Sequence, residues 1–252
     1  DLESSLGHLI NFGISGFPFV GADVGGFAGD PSDRLIQRWF QTASWCYPFF
    51  REHSHIESSP REPYLYGPII HKSIINRYKL LPLFYTAARK ANLTGIPIIQ
   101  PLWAEFSDVP VLHRIQNQLL VAETLLVCPV TSKKIDHEKK MMIHIPPGFW
   151  YDIRNGKELK KVINLNDDDI PVFVRGGKIF LTYSETGENV KNTLKKLLTL
   201  HVALDQNGKA SGEVYFDDGF SFNFTNGEYF RKRFSFMKGI LKMRTISRFK
   251  ET

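Results

Sequence analysis

Apolar side chains at the start of the chain recur at helical spacing, Leu2, Leu6, Leu9 and Ile10, and the run stops at Gly13 and Gly16. This predicts an amphipathic helix closed by glycine. Residues 16–21 form a short apolar run bounded by glycine, the signature of a strand buried on both faces. It leads into residues 22–29, too rich in glycine to be regular. Asp30-Pro31-Ser32 predicts a helix start, with Leu35, Ile36, Trp39 and Phe40 on one face. A second buried run, Tyr47-Pro48-Phe49-Phe50, precedes a polar loop over 51–68. Ile70, Ile74, Ile75, Tyr78, Leu81, Phe84 and Tyr85 predict a helix over 69–91, and Pro82 within it predicts a kink or break.

After Asn92-Leu93-Thr94-Gly95 the texture changes. Short β-branched and aromatic runs alternate with turn residues at 96–106, 124–130, 141–145, 162–165, 172–174 and 179–182, then at 197–204, 212–216, 220–224, 229–236 and 241–246. Short strands at this spacing predict β-sandwiches. Asp167-Asp168-Asp169 reads as an acidic turn with no further role. Alternating helix and buried strand, followed by all-β sequence, predicts two kinds of domain.

Composition narrows the class. With 42% hydrophobic and 23% charged residues among 252, the chain is globular rather than disordered. Aromatics reach 13%, which suits β-structure and clefts walled by flat rings. No run of apolar residues is long enough to span a bilayer. Cys46 and Cys128 have no paired spacing, so they read as two buried free thiols. The net charge of +6 divides into +1 over 1–95, +1 over 96–183 and +4 over 184–252. The last excess comes from Arg231-Lys232-Arg233, Lys238, Lys242, Arg244, Arg248 and Lys250, and reads as a solvated strand face with a charged end. No nucleic-acid module is present. Position 1 is Asp with no leader behind it, so the expectation is a processed start or a piece of a longer chain.

Two stretches carry chemistry. In Gly21-Ala22-Asp23-Val24-Gly25-Gly26-Phe27, a carboxylate follows a buried strand in a loop whose glycines admit close approach. In an α/β barrel that end of the strand carries the active site; an Asp capping a tight turn is the alternative. The G-x-G-x-x-G and Gly-Lys-Ser/Thr phosphate patterns are absent. Past the next run come Arg51, Glu52, His53 and His55. As on a strand, the two histidines would point to opposite sides, and no further ligands stand at metal-site spacing. Guanidinium and imidazole beside aromatics suit sugar hydroxyls, and an Arg51–Glu52 ion pair is the alternative.

These motifs occur in a familiar order: Gly-Ala-Asp-Val-Gly-Gly-Phe (21–27), Arg38-Trp39-Phe40-Gln41, Pro-Phe-Phe-Arg-Glu-His (48–53), Arg61-Glu62-Pro63-Tyr64 and Arg77-Tyr78-Lys79-Leu80-Leu81-Pro82. Pro101-Leu102-Trp103, Ile-Pro-Val-Phe-Val-Arg-Gly-Gly (170–177) and Gly-Glu-Val-Tyr-Phe-Asp-Asp-Gly (212–219) follow. Together they resemble the C-terminal part of family 31 glycoside hydrolases, the retaining α-glucosidases. Arg-Lys-Arg-Phe-Ser-Phe (231–236), with the Arg-Glu-His and Arg-Glu-Pro pattern, favours the endoplasmic-reticulum members. Departures are Tyr64, where the family usually has Trp, and 114–123, which lacks the usual Asp-x-Gln.

The resemblance implies α/β plus all-β architecture. The last two strand–helix units of a (β/α)8 barrel would occupy 1–95, one β-sandwich 96–183 and a second, whole or in part, 184–252. It implies that Asp23, Phe27, Arg51 and His53 bind substrate: Phe27 as a wall of the glucose subsite, His53 to the hydroxyls, Asp23 and Arg51 in support. Trp39 would pack in the core. The catalytic nucleophile and acid/base would lie upstream of Asp1, leaving this chain alone inactive. The implied substrate is an N-glycan with terminal α-1,3-linked glucose, in the endoplasmic-reticulum lumen, with a non-catalytic, lectin-containing β subunit as partner and no cofactor or metal. A maltose- or glycogen-type α-glucosidase and a non-catalytic glycan-binding protein are the alternatives. Sequons stand at Asn92 and Asn223.

Overall fold

The computed structural model describes residues 1–247. Arg248, Lys250 and the terminal Lys250-Glu251-Thr252 lie outside the described residues.

Helix α1 (Leu2–Ile14) buries Leu2, Leu6, Leu9 and Ile10, and Asp1 caps it by accepting the Ser4 amide at 2.8 Å. Helix α2 (Asp33–Cys46) starts at Ser32, whose hydroxyl accepts the Leu35 amide. Every residue of α2 from Arg38 to Cys46 is buried. The long helix is two, α3 (Pro68–Lys79) and α4 (Leu81–Thr94), separated at Leu80. Pro82 lacks an amide hydrogen and its ring would strike the Tyr78 carbonyl of a continuous helix. It therefore stands in the first turn of α4, where no intrahelical donor is needed.

The two apolar runs expected to be buried strands are extended but not strands. They lie side by side in parallel. The Phe49 amide donates to the Val20 carbonyl and the Val24 amide to the Arg51 carbonyl, each at 3.0 Å, with one parallel bridge between Val24 and Glu52. Among the described residues no strand pairs with either outer edge. Phe17, Phe19 and Phe49 stand 60%, 63% and 52% exposed rather than buried on both faces.

The next unit comprises β1 (Ile99–Pro101), α5 (Leu102–Glu105), β2 (Leu119–Val121), β3 (Leu125–Val127), α6 (Lys133–Glu138), β4 (Lys140–Met142), β5 (Trp150–Asp152), β6 (Val162–Asn164) and β7 (Val172–Arg175). One antiparallel sheet has the order β1-β2-β3-β7-β5, and β4 pairs with β6 as a ribbon. The second unit comprises β8 (Lys178–Tyr183), α7 (Val190–Thr193), β9 (Leu198–Ala203), β10 (Ala210–Phe216), β11 (Phe230–Met237) and β12 (Ile240–Ser247), in the order β12-β11-β10-β8-β9 with β8 and β10 parallel.

Three expectations change. Because β8 pairs with β9 and β10, the strand at 178–183 belongs to the second sheet and not to a 96–183 unit. The second unit is a single five-stranded sheet instead of a sandwich among the described residues; α4 packs on β8 and β10 and supplies a covering layer. Residues 220–224 form no strand. The Asp218 carboxylate accepts the amides of Phe220 and Ser221 at 3.1 and 2.9 Å, so the chain closes into a turn and leaves Phe220 and Phe222 exposed.

One core joins α1, α2, α3, α4 and the first sheet through Leu6, Phe40, Tyr47, Ile70, Leu112, Trp150 and Phe173. Cys46 and Cys128 are buried and free, and burial raises the pKa of both thiols. The acidic run at 167–169, read as a plain turn, is a docking point for α2. The Gln41 amide donates to the Asp167 carbonyl at 2.8 Å and Trp45 Nε1 to Asp169 Oδ1 at 2.8 Å, while Arg34 pairs with Asp167 at 2.5 Å. Beside it, Asp136 accepts from Arg34 Nε at 2.7 Å and from Arg38 Nη2 at 2.6 Å.

Candidate functional site

The two extended segments and the loops that follow them bring the four sequence-predicted residues together as two pairs, Asp23 with Arg51 and Phe27 with His53. Gly25 and Gly26 turn the chain with φ of 98° and 84°, which only glycine adopts without strain. The Gly26 amide donates to the Asp23 carbonyl at 2.9 Å and closes that turn. Val24, fully buried, anchors the loop in the core, and Gly26 lies over the Trp39 indole. Trp39 is itself a buried core residue, as the sequence implied.

Asp23 and Arg51 form an ion pair at 3.2 Å, each partly open to solvent. Arg51 thus pairs with Asp23 and not with Glu52. The Phe27 ring lies 5.7 Å from the His53 ring, tilted by 37°, and 5.7 Å from the His55 ring, edge-on at 79°. The expectation that the two histidines point to opposite sides fails. Only Glu52 keeps a bridge in this stretch, so strand alternation does not persist, and the His55 amide donates to the Phe27 carbonyl at 2.6 Å. Phe27 stands 47% exposed, and Arg51 and His53 are exposed. The result is an open wall: one aromatic ring between two imidazoles, with Arg51 of the guanidinium–carboxylate pair two residues before His53 in the chain. Such a set can stack on a flat apolar ring face and exchange hydrogen bonds with hydroxyls.

Arg77 ties the second extended segment to α3 and α4. Its Nη2 donates to the Pro48 carbonyl at 2.7 Å and its guanidinium lies 3.8 Å over the Phe84 ring. Burial lowers its pKa to about 10. A cavity of about 580 Å³ lies elsewhere, between α4 and the second sheet, and none of the four residues lines it. Its Lys90–Glu123 and Arg231–Glu213 pairs neutralise one another. The chemistry therefore centres on the open wall, not on this cavity.

Known proteins resemble this chain along most of its length. The family description "Glycosyl hydrolases family 31 TIM-barrel domain" matches residues 1–87, and "Glycosyl hydrolase family 31 C-terminal domain" matches residues 95–180. A probable glucan 1,3-alpha-glucosidase of Arabidopsis thaliana is 36% identical over 95% of this chain and 27% of its own length. The glucosidase 2 subunit alpha of Saccharomyces cerevisiae is 38% identical over 96% of this chain and 26% of its own. The crystal structure of an ER glucosidase II heterodimeric complex, of catalytic subunit and the binding domain of regulatory subunit, superposes with a TM-score of 0.92 at 37% identity. That match covers 97% of this chain and 27% of the other. The chain thus spans about a quarter of the length of the relatives it matches. Among the described residues no helix is long and apolar enough to cross a membrane.

Proposed function

The chain belongs to glycoside hydrolase family 31, and we propose that it carries one sugar-binding wall of a retaining α-glucosidase that removes terminal α-linked glucose. The observation that carries this reading is the Phe27 ring set beside His53, with the Asp23–Arg51 pair adjoining. In this reading the pyranose ring stacks on Phe27, His53 holds its hydroxyls, and Arg51 fixes the Asp23 carboxylate. Retaining hydrolysis needs a nucleophilic carboxylate and a carboxylic acid/base about 5–5.5 Å apart. Both are assigned to sequence outside residues 1–252. The bare edges beside Phe17, Phe19 and Phe49 support this reading, since a closed barrel would cover them with further strands.

The relatives' names support α-1,3-linked glucose as the bond cleaved. Trimming of N-glycans in the endoplasmic-reticulum lumen is part of the same proposal. So is a regulatory, lectin-containing β subunit as partner, in line with the heterodimeric relative.

In the full-length enzyme, His53→Ala is expected to lower kcat/KM on a nitrophenyl α-glucoside by about tenfold or more, each tenfold being about 1.4 kcal/mol. Unchanged kcat/KM would remove His53 from the site. Comparing kcat/KM on an α-1,3-linked glucose disaccharide and on maltose tests the linkage; a preference for maltose sinks the α-1,3 reading.

A further inference from the structure

We propose that Arg61 is a positioning residue for the glucose pocket, holding the loop that carries Phe27 against the segment that carries His53. The proposal rests on the reading of these loops as a sugar site. Arg61 is only 1% exposed. Its Nε donates to the Gly25 and Gly26 carbonyls at 3.2 and 3.1 Å, and its Nη2 donates to the Gly29 carbonyl at 2.7 Å. Its Nη1 donates to the Ser59 carbonyl and, at 2.9 Å, to the Ser59 hydroxyl. All three guanidinium nitrogens are therefore engaged, and none of these bonds goes to a carboxylate.

Phe27 lies between two anchored points, Gly26 and Gly29. The left-handed turn at Gly25 and Gly26 aims their carbonyls inward at the guanidinium. A Cβ on Gly25 would come within 2.6 Å of Arg61 Cδ, so loop and arginine fit without slack. Three more bonds close the seam around the same centre: Gly29 amide to Ser58 Oγ at 3.0 Å, Ser59 amide to Asp30 Oδ1 at 2.9 Å, and His55 amide to the Phe27 carbonyl at 2.6 Å. A planar five-donor fork can bind carbonyls on both loops at once, and a lysine ammonium cannot reproduce that geometry. Arg61 touches no part of the open wall; it acts through Phe27.

The test is a double-mutant cycle in the full-length enzyme with Arg61→Lys and Phe27→Ala. Arg61→Lys is expected to lower kcat/KM by about tenfold, mainly through KM, and to raise the inhibition constant of glucose by a similar factor. In the Phe27→Ala background the same change should cost less than about threefold, because coupled residues are not additive. Ser59→Ala, a milder loss of one bond, should show the same suppression and serves if Arg61→Lys does not fold. Equal costs in both backgrounds would overturn the proposal. Amide exchange gives a second readout that needs no activity: residues 25–30 should exchange faster in Arg61→Lys while α2 is unchanged, and unaltered exchange there also overturns it. A wild-type enzyme without α-glucosidase activity would instead defeat the sugar-site reading, and the exchange result would still decide the clamp.

Discussion

Asp136→Ala is expected to destabilise the protein by about 3–5 kcal/mol, the range for removing one partner of a buried ion pair. The cost falls on Arg38. Its side chain is almost wholly buried, its Nε has no partner, and its other contacts are the Gln41 side-chain oxygen at 2.7 Å and the Asp169 carbonyl at 3.5 Å. Without Asp136 a guanidinium remains in the core with no carboxylate within ion-pair distance among the described residues. Arg34 fares better, because it keeps Asp167 at 2.5 Å.

The same carboxylate makes stability depend on pH. Burial pulls the Asp136 pKa upward, but the hydrogen bonds and charges of Arg34 and Arg38 prevail and hold it well below the usual carboxylate range. The folded form therefore binds this proton less readily than the unfolded chain. The stabilisation is complete above the unfolded pKa of about 3.9 and is lost as the pH falls from there through the folded value. Denaturant titrations of wild type and Asp136→Ala at pH 7 and pH 3 should show the difference shrinking at the lower pH. A constant difference would mean that Asp136 acts by packing rather than by charge.

Gly21→Ala is expected to reduce kcat/KM of the full-length enzyme by about 10²-fold, the scale attached to a displacement of about 1 Å in a catalytic site. A Cβ at Gly21 would stand 2.0 Å from the Phe49 carbonyl oxygen and 3.0 Å from its carbon. Both obstacles are backbone, so no side chain can swing away. The added methyl would push 47–50 off 20–24, and with it Arg51 and His53 off Asp23 and Phe27. Gly7→Ala is the control. A Cβ there meets nothing within 4 Å, and alanine in a helix interior is neutral to mildly stabilising. Near-wild-type kcat/KM in Gly21→Ala would show that the juxtaposition of these segments does not govern activity.

The sequence made some of this legible and hid the rest for identifiable reasons. Helices α1 and α2 follow from apolar spacing, and the α3–α4 break from the chemistry of Pro82. The motif order from Gly21 to Gly219 pointed to the family. Strands β2 and β5 lie outside the expected strand runs. The apolar runs at 16–21 and 47–50 have the composition of strands buried on both faces, and among the described residues each has only the other beside it. The acidic triplet looked solvated because Gln41 and Trp45, its partners, lie 126 and 124 residues away. Arg61 stood in a recognised motif with no role attached. Its acceptors are main-chain oxygens plus one serine, and a carbonyl leaves no mark on a residue pattern.

The docking of α2 also sets an order of events during synthesis. Arg38 leaves the ribosome 98 residues before Asp136, and Trp45 precedes Asp169 by 124. At about 5–20 residues per second, the second interval lasts roughly 6–25 s. Throughout it the cationic flank of α2 lacks the acceptors that later enclose it, and this newborn helix is open to chaperones and proteases alike. Nascent chains stalled before Asp136 should be cut within α2, whereas chains stalled well beyond Asp169 should resist. Maturation of the open wall beside α2 thus waits on a loop that is translated long after the wall itself.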